Sequence, residues 1–146
     1  MNRKGFTLVE ILIVVIILGI LAAIVIPQFS EASDDARLSS LISDLQTVRS
    51  QLELYRVQHS SYPDGATTAA WTAQLTGQTD INGDAGTDYG PYLQTFPTNP
   101  FNDSATVYLD ADGSGSPGAQ STTDGWYFDT TTGKFAPNDD ATHGAL

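Results

Sequence analysis

Glu10 is a carboxylate inside an apolar run that extends from Phe6 to Ile26. An acidic side chain at the middle of a lipid-soluble helix costs about 2.5–3.5 kcal/mol, so Glu10 needs either an interfacial position or a cationic partner. Two further sets of residues have spacing that suits chemistry. In DINGDAGTD, Asp80, Asn82, Asp84 and Asp88 alternate with small residues. In DADGSGS, Asp110, Asp112, Ser114 and Ser116 do the same, and Asp124 follows nearby. Alternating oxygen side chains can converge on one hard cation such as calcium. Neither stretch is an EF-hand loop: the first carries Ala85 where glycine is needed, and the second lacks the distal glutamate. Asp-Gly pairs also build ordinary turns, and both readings stay open.

Signals for catalysis are poor, and no enzymatic activity is expected. His59 and His143 are isolated, without a metal-binding or general-base pattern around them. His59 reads as a helix end and His143 as part of a frayed tail. Asp129-Thr-Thr-Thr-Gly133 resembles the phosphorylated-aspartate loop of ion pumps, but 146 residues leave no room for their nucleotide domain. A hairpin turn accounts for it.

Charge and composition narrow the classes further. The formal net charge is -11, from 6 basic and 17 acidic residues, which argues against binding nucleic acid through a basic face. After Arg56 the sole basic residue is Lys134, and every acid is aspartate. With no cysteine, neither a disulfide framework nor a thiolate metal site is available.

The elements that must position these residues follow from hydropathy. Residues 6–26 form a span that, at ~1.5 Å per residue, covers about 30 Å, the thickness of a bilayer core. Arg3 and Lys4 precede it and no basic residue follows until Arg37, so the positive-inside rule keeps the N-terminus cytoplasmic. The apolar run continues past the small residues of LAAIVIP, which favours a retained anchor over a cleaved secretory signal. Residues 27–60 then turn amphipathic: Leu38, Leu41, Leu45, Val48, Leu52 and Tyr55 step by three and four. Pro27 removes one backbone donor and predicts a kink or local loosening. Helix should stop near SSYPDG, because Pro63 disfavours helix at Tyr62. Residues 61–146 form the head. There 67–77 predicts a short helix with Trp71 and Leu75, and 105–109, 125–129 and 133–136 predict strands. The expected fold is α+β: a long N-terminal helix packed on a small antiparallel sheet, with Val107, Leu109, Trp126, Phe128 and Phe135 as candidate core.

Lys4-Gly5-Phe6-Thr7-Leu8-Val9-Glu10 before an apolar run resembles the N-terminal signal of type IV pilins and of the pseudopilins of type II secretion. Tyr55…Tyr62-Pro63 and Gly90-Pro91-Tyr92-Leu93 are similar to stretches of the major pseudopilin, with departures at Asn99, Phe101 and Asn102. The resemblance implies that residues 1–5 are a leader, that a prepilin peptidase cuts between Gly5 and Phe6, and that the new Phe6 amine is methylated. Losing Arg3 and Lys4 would take the side-chain charge to -13. Glu10 would then meet the Phe6 amine of its own or an adjacent subunit during assembly. Gly19 and Pro27 fall where such proteins carry helix-weakening residues.

The implied protein is a homo-oligomeric filament subunit of a secretion pseudopilus, or alternatively of a surface pilus for adhesion, motility or DNA uptake. Implied partners are an inner-membrane assembly platform with its ATPase motor, minor pilins or pseudopilins, and membrane lipid. The implied location is the bacterial inner membrane, single pass with a periplasmic head, and then the filament. No cofactor is required; calcium is a candidate, since the resemblance implies a calcium loop in the C-terminal sheet. A reading of another class is a monomeric membrane-anchored calcium- or ligand-binding module.

Overall fold

The computed structural model describes residues 5–118 and 123–146; Arg3 and Lys4 lie outside them. The chain divides into two compact units, Met1–Ala36 and Arg37–Leu146, each taken here by itself.

The first unit holds the beginning of helix α1 (Leu8–His59). Over the 18 residues Leu8–Val25 the mean hydropathy is 3.3 and no side chain is buried. A helix that is apolar all round and uncovered suits lipid or other apolar helices as its surroundings. Among the described residues it is the one helix long and apolar enough to cross a membrane. Gly19 and Pro27, where the sequence predicts weakening, both lie inside the continuous helix. Proline withdraws a single N–H from the ladder, and helix is continuous through Pro27.

The second unit is built on the amphipathic part of α1. Leu41, Leu45, Val48, Leu52 and Tyr55 are buried, with Leu38 partly buried beside them. A seam between two long helices and a helix covered by a head share this spacing. Burial within one chain selects the second. The cover comes from helix α2 (Thr68–Thr76) and strands β1 (Val107–Asp110), β2 (Trp126–Asp129) and β3 (Phe135–Pro137). Thr67 caps α2, its side chain accepting a hydrogen bond from the Ala70 N–H at 3.2 Å. Trp71 and Leu75 of α2 are fully buried against the same cluster as Val107, Trp126, Phe128 and Phe135. Leu109 packs on its margin.

The sheet has the order β1-β2-β3, and here the expectation of an antiparallel sheet needs correcting. β2 and β3 are antiparallel, but β1 and β2 run parallel, with Val107 opposite Trp126 and Asp110 opposite Asp129. The connection over residues 111–125 exceeds the dozen residues that a parallel crossover requires, whereas a tight turn would have forced the other direction. Both sheet edges are closed by helix side chains. The Thr68 hydroxyl donates to the Val107 carbonyl at 2.7 Å, and the Arg49 guanidinium donates twice to the Phe135 carbonyl, at 2.9 and 2.7 Å. Edge carbonyls so occupied cannot template another strand. A 3-10 turn, His143–Ala145, packs on β3, so the tail is ordered where the sequence predicts fraying.

The stripe gives the first prediction. Leu45→Ala should cost about 2–5 kcal/mol in denaturant unfolding of the full chain in detergent micelles. Leu54→Ala, at a position 44% exposed on the same helix, should stay within about 0.5 kcal/mol. Equal effects would refute the assignment of the buried face.

Candidate functional site

Gly5, Phe6 and Thr7 precede the helix without regular structure. Nothing lies within 4 Å of a Cβ built on Gly5, and Phe6 is 82% exposed, so the Gly5–Phe6 peptide bond is accessible. Thr7 and Glu10 form a capping box. The Thr7 N–H and hydroxyl both donate to Glu10 Oε2 at 2.8 Å, and the Glu10 N–H donates to Thr7 Oγ1 at 3.2 Å. The carboxylate is thus drawn to the N-terminus of its own helix, where the free N–H groups and the helix dipole favour an anion. Thr-x-x-Glu is a readable signature of this arrangement, and it explains how Glu10 is held before any second subunit is present. Both bonds fall on one oxygen, and a carboxylate has two with about four acceptor sites between them.

The DADGSGS stretch leaves the C-terminal end of β1. Asp110 is 4% exposed and organises this loop. Its Oδ1 accepts from the N–H groups of Asp112 (3.3 Å) and Gly113 (3.0 Å). Its Oδ2 accepts from the Gly115 N–H (2.8 Å) and the Tyr127 hydroxyl (2.5 Å). Asp112 accepts from the Ser114 N–H at 3.0 Å, and the side chains of Asp112, Ser114 and Ser116 are exposed. Asp124 is not brought to this loop. It precedes β2, and the parallel register sets it at the end of the pair opposite Asp110, where its carbonyl accepts from Asn102. The acid that lies across from Asp110 is Asp129. Asp129 closes the β2–β3 hairpin, accepting from the N–H and hydroxyl groups of both Thr131 and Thr132. Gly133 turns the chain back with φ 78°.

In the other cluster, Asp80 Oδ1 accepts from the N–H groups of Asn82 and Asp84 at 2.8 and 3.1 Å, and Gly83 supplies φ 85°. This is a tight Asx turn, with Asn82, Asp84 and Asp88 exposed. It is tied to the core through Thr79. His59, 7% exposed and stacked on Tyr55 at 3.9 Å, donates from Nδ1 to the Tyr55 carbonyl and accepts at Nε2 from the Thr79 hydroxyl (2.9 Å). The carbonyl can only accept, which fixes the tautomer.

A third group is absent from the sequence reading. Asp139, Asp140 and His143 have ligand atoms within 4.8 Å of one another, the one such trio among the described residues. Their atoms are engaged in a latch: His143 Nδ1 bonds Asp139 Oδ2, Asp139 Oδ1 accepts from Asn99 Nδ2, and Asp140 Oδ1 accepts from the His143 N–H. The His143 ring also lies 4.3 Å from that of Phe101. The i, i+4 spacing of Asp139 and His143 was the available signal; the partner loop at 99–101 is remote in sequence.

Residues 1–26 match the prokaryotic N-terminal methylation motif, and residues 28–124 match the type II secretion system (T2SS) protein G family. The chain is 40% identical over 62 residues to a type II secretion system core protein G of Pseudomonas aeruginosa, covering 42% of this chain and 44% of that one. Identity to the core protein G of Klebsiella michiganensis is 39% over the same length and coverage. A fimbrial protein of Neisseria meningitidis is 35% identical over 81 residues, 56% of this chain and 45% of that one. The chain therefore spans less than half the length of these curated relatives. No solved structure gives a significant match. The protein G model covers more than half of the sequence, including the amphipathic helix, α2 and β1, and the methylation motif covers the exposed apolar segment: the chain belongs to the type II secretion system protein G family.

Proposed function

We propose that the chain is a structural subunit of a type II secretion pseudopilus. In this reading it is stored in the inner membrane through Leu8–Val25, with its N-terminus cytoplasmic and its head periplasmic, and is polymerised into a helical filament whose growth drives protein export. The observation that carries the reading is the contrast within α1. The segment Leu8–Val25 has no buried side chain, while the stripe from Leu41 to Tyr55 is covered by its own head. A subunit with its head already satisfied and its first span uncovered polymerises by bundling the spans. Lipid covers those spans before assembly, and neighbouring spans cover them afterwards. The work is mechanical, done together with an assembly platform, its ATPase and minor pseudopilins.

Processing fits the local geometry. Cleavage after Gly5 by a prepilin peptidase leaves the Thr7 N–H an amide, so the Thr7–Glu10 capping box survives the cut. It also creates an amine on Phe6. Glu10, held at the helix start through Oε2, then offers its other oxygen to the Phe6 amine of an adjacent subunit. The pair would form only in the packed filament and so select register. A surface pilus is the second reading, favoured by the longer stretch matched to the fimbrial protein. Neighbouring genes separate the two: a secretin with secretion partners, or a retraction motor.

Co-expression with the peptidase and assembly machinery tests this. Gly5→Ala should remain uncut on a gel. Glu10→Ala should be cut and inserted normally, yet yield at least tenfold fewer filaments in shear fractions. Filaments from Glu10→Ala at wild-type level would remove the proposed role of that carboxylate. A normally cut Gly5→Ala would remove the peptidase assignment.

A further inference from the structure

We infer that the start of the crossover between β1 and β2, from Asp110 to Gly115, is locked by the Asp110–Tyr127 hydrogen bond in the place of a cation, and that the head of this chain reaches full stability without calcium. A calcium loop in the C-terminal sheet is what the sequence resemblance implies, so the donor set of that loop decides the matter. Calcium takes six to eight oxygen ligands, with carboxylate lone pairs as the main contributors. A carboxylate has about four acceptor sites. Asp110 uses four of them, on Asp112 N–H, Gly113 N–H, Gly115 N–H and Tyr127 O–H. Those donors converge on one carboxylate, so the positive ends of four dipoles surround it and fill the acceptor sites that an ion would seek.

Among the described residues, the other carboxylates nearby do not make up the difference. Asp129, the acid paired with Asp110 in register, is 7% exposed and likewise accepts four bonds, all from Thr131 and Thr132. Asp112 is exposed and turns one oxygen to the Ser114 N–H, and Asp124 is at the far end of the strand pair. To ligate an ion, Asp110 would have to release the Tyr127 hydroxyl. Tyr127 is 2% exposed, and its hydroxyl would keep only the longer bond to the Gly115 carbonyl. The fold also builds this lock from several elements at once. Tyr127 lies on β2, stacks on Tyr108 of β1 at 6.1 Å, and reaches the Gly115 carbonyl at 3.3 Å. Gly113, at φ 69°, lets the loop lie on the hairpin; a Cβ there would meet Thr131 Oγ1 at 2.8 Å.

The electrostatics agree with the geometry. The Tyr127 hydroxyl, and then the backbone N–H groups, hold the Asp110 carboxyl down from its usual 3.8 to about 2. Burial raises Tyr127 above its usual 10.0, with Asp110, Asp129 and Tyr108 adding to the rise. A depressed carboxyl stabilises the fold above its ordinary pKa and loses that contribution as pH falls toward about 2. A raised phenol stabilises below about 10 and loses the contribution as pH rises past it.

The test is thermal melting of the full chain in detergent micelles, in chelator and in a calcium chloride titration, with magnesium chloride at matched ionic strength. Coincident Tm values throughout are expected. A saturable rise in Tm with calcium that magnesium does not reproduce would overturn the inference, wherever the ion binds. Tyr127→Phe keeps the ring and removes the donor. It should lower Tm by several degrees at neutral pH and by less as pH falls toward about 2, since there the wild-type Asp110 also loses what its hydrogen bonds contribute. A Tyr127→Phe protein with the wild-type Tm at neutral pH would also overturn it. If that variant fails to fold, the calcium titration of the wild type still decides.

Discussion

One helix meets two solvents. The apolar stripe on the later part of α1 must be kept from water by protein, while in the earlier part, Leu8–Val25, apolar but for Glu10, none of the described side chains is buried. Each fully buried leucine or valine contributes about 1.5–3 kcal/mol when water is excluded from it, so the five buried stripe residues are the main reason for the head to fold where it does. Trp71, Trp126, Phe128 and Phe135 supply that cover as one cluster of stacked and tilted rings. A sheet of three short strands would present two open edges. Thr68 of α2 occupies one and Arg49 of α1 the other, so the same helices that need the sheet also terminate it.

The acidity of the head has two distinct uses. Most aspartates face water and keep the surface of the head strongly negative. Three of the buried or partly buried ones act as acceptors for backbone donors that would otherwise be stranded. Asp110 gathers the crossover loop, Asp129 the hairpin and Asp80 the Asx turn. In a chain without cysteine, these carboxylate-centred turns do the stapling that disulfides would otherwise do. His59 and the Asp139–His143 latch extend the same strategy to the end of α1 and to the tail.

Glu10 follows this pattern in the first unit. A lone carboxylate in a lipid-soluble helix is costly, yet Thr7 gives it two donors without leaving the first turn. The capping box therefore meets part of the cost within one chain, and it sets the direction in which the carboxylate faces.

Much of this was legible in the sequence because it depends on local spacing. The long apolar run, the three-and-four step of the stripe, the stop before Tyr62-Pro63, α2, and the three strands within a residue or two are all properties of neighbours along the chain. The signal Gly5-Phe6-Thr7-Leu8-Val9-Glu10 is equally local, and so was the unrecognised Thr7–Glu10 box. What the sequence could not decide involves partners far apart in it. The parallel direction of β1 and β2 follows from how a long connection returns to the sheet. That register placed Asp129, and not Asp124, across from Asp110. Asp-Gly spacing alone is the same for a turn and for a cation site. The Tyr127 hydroxyl, arriving 17 residues later on another strand, is what filled the last acceptor of Asp110. Local periodicity determines which segments are helix or strand and which face is apolar. Tertiary structure decides which donor reaches which carboxylate, because that depends on register and crossing, which no short window of sequence contains.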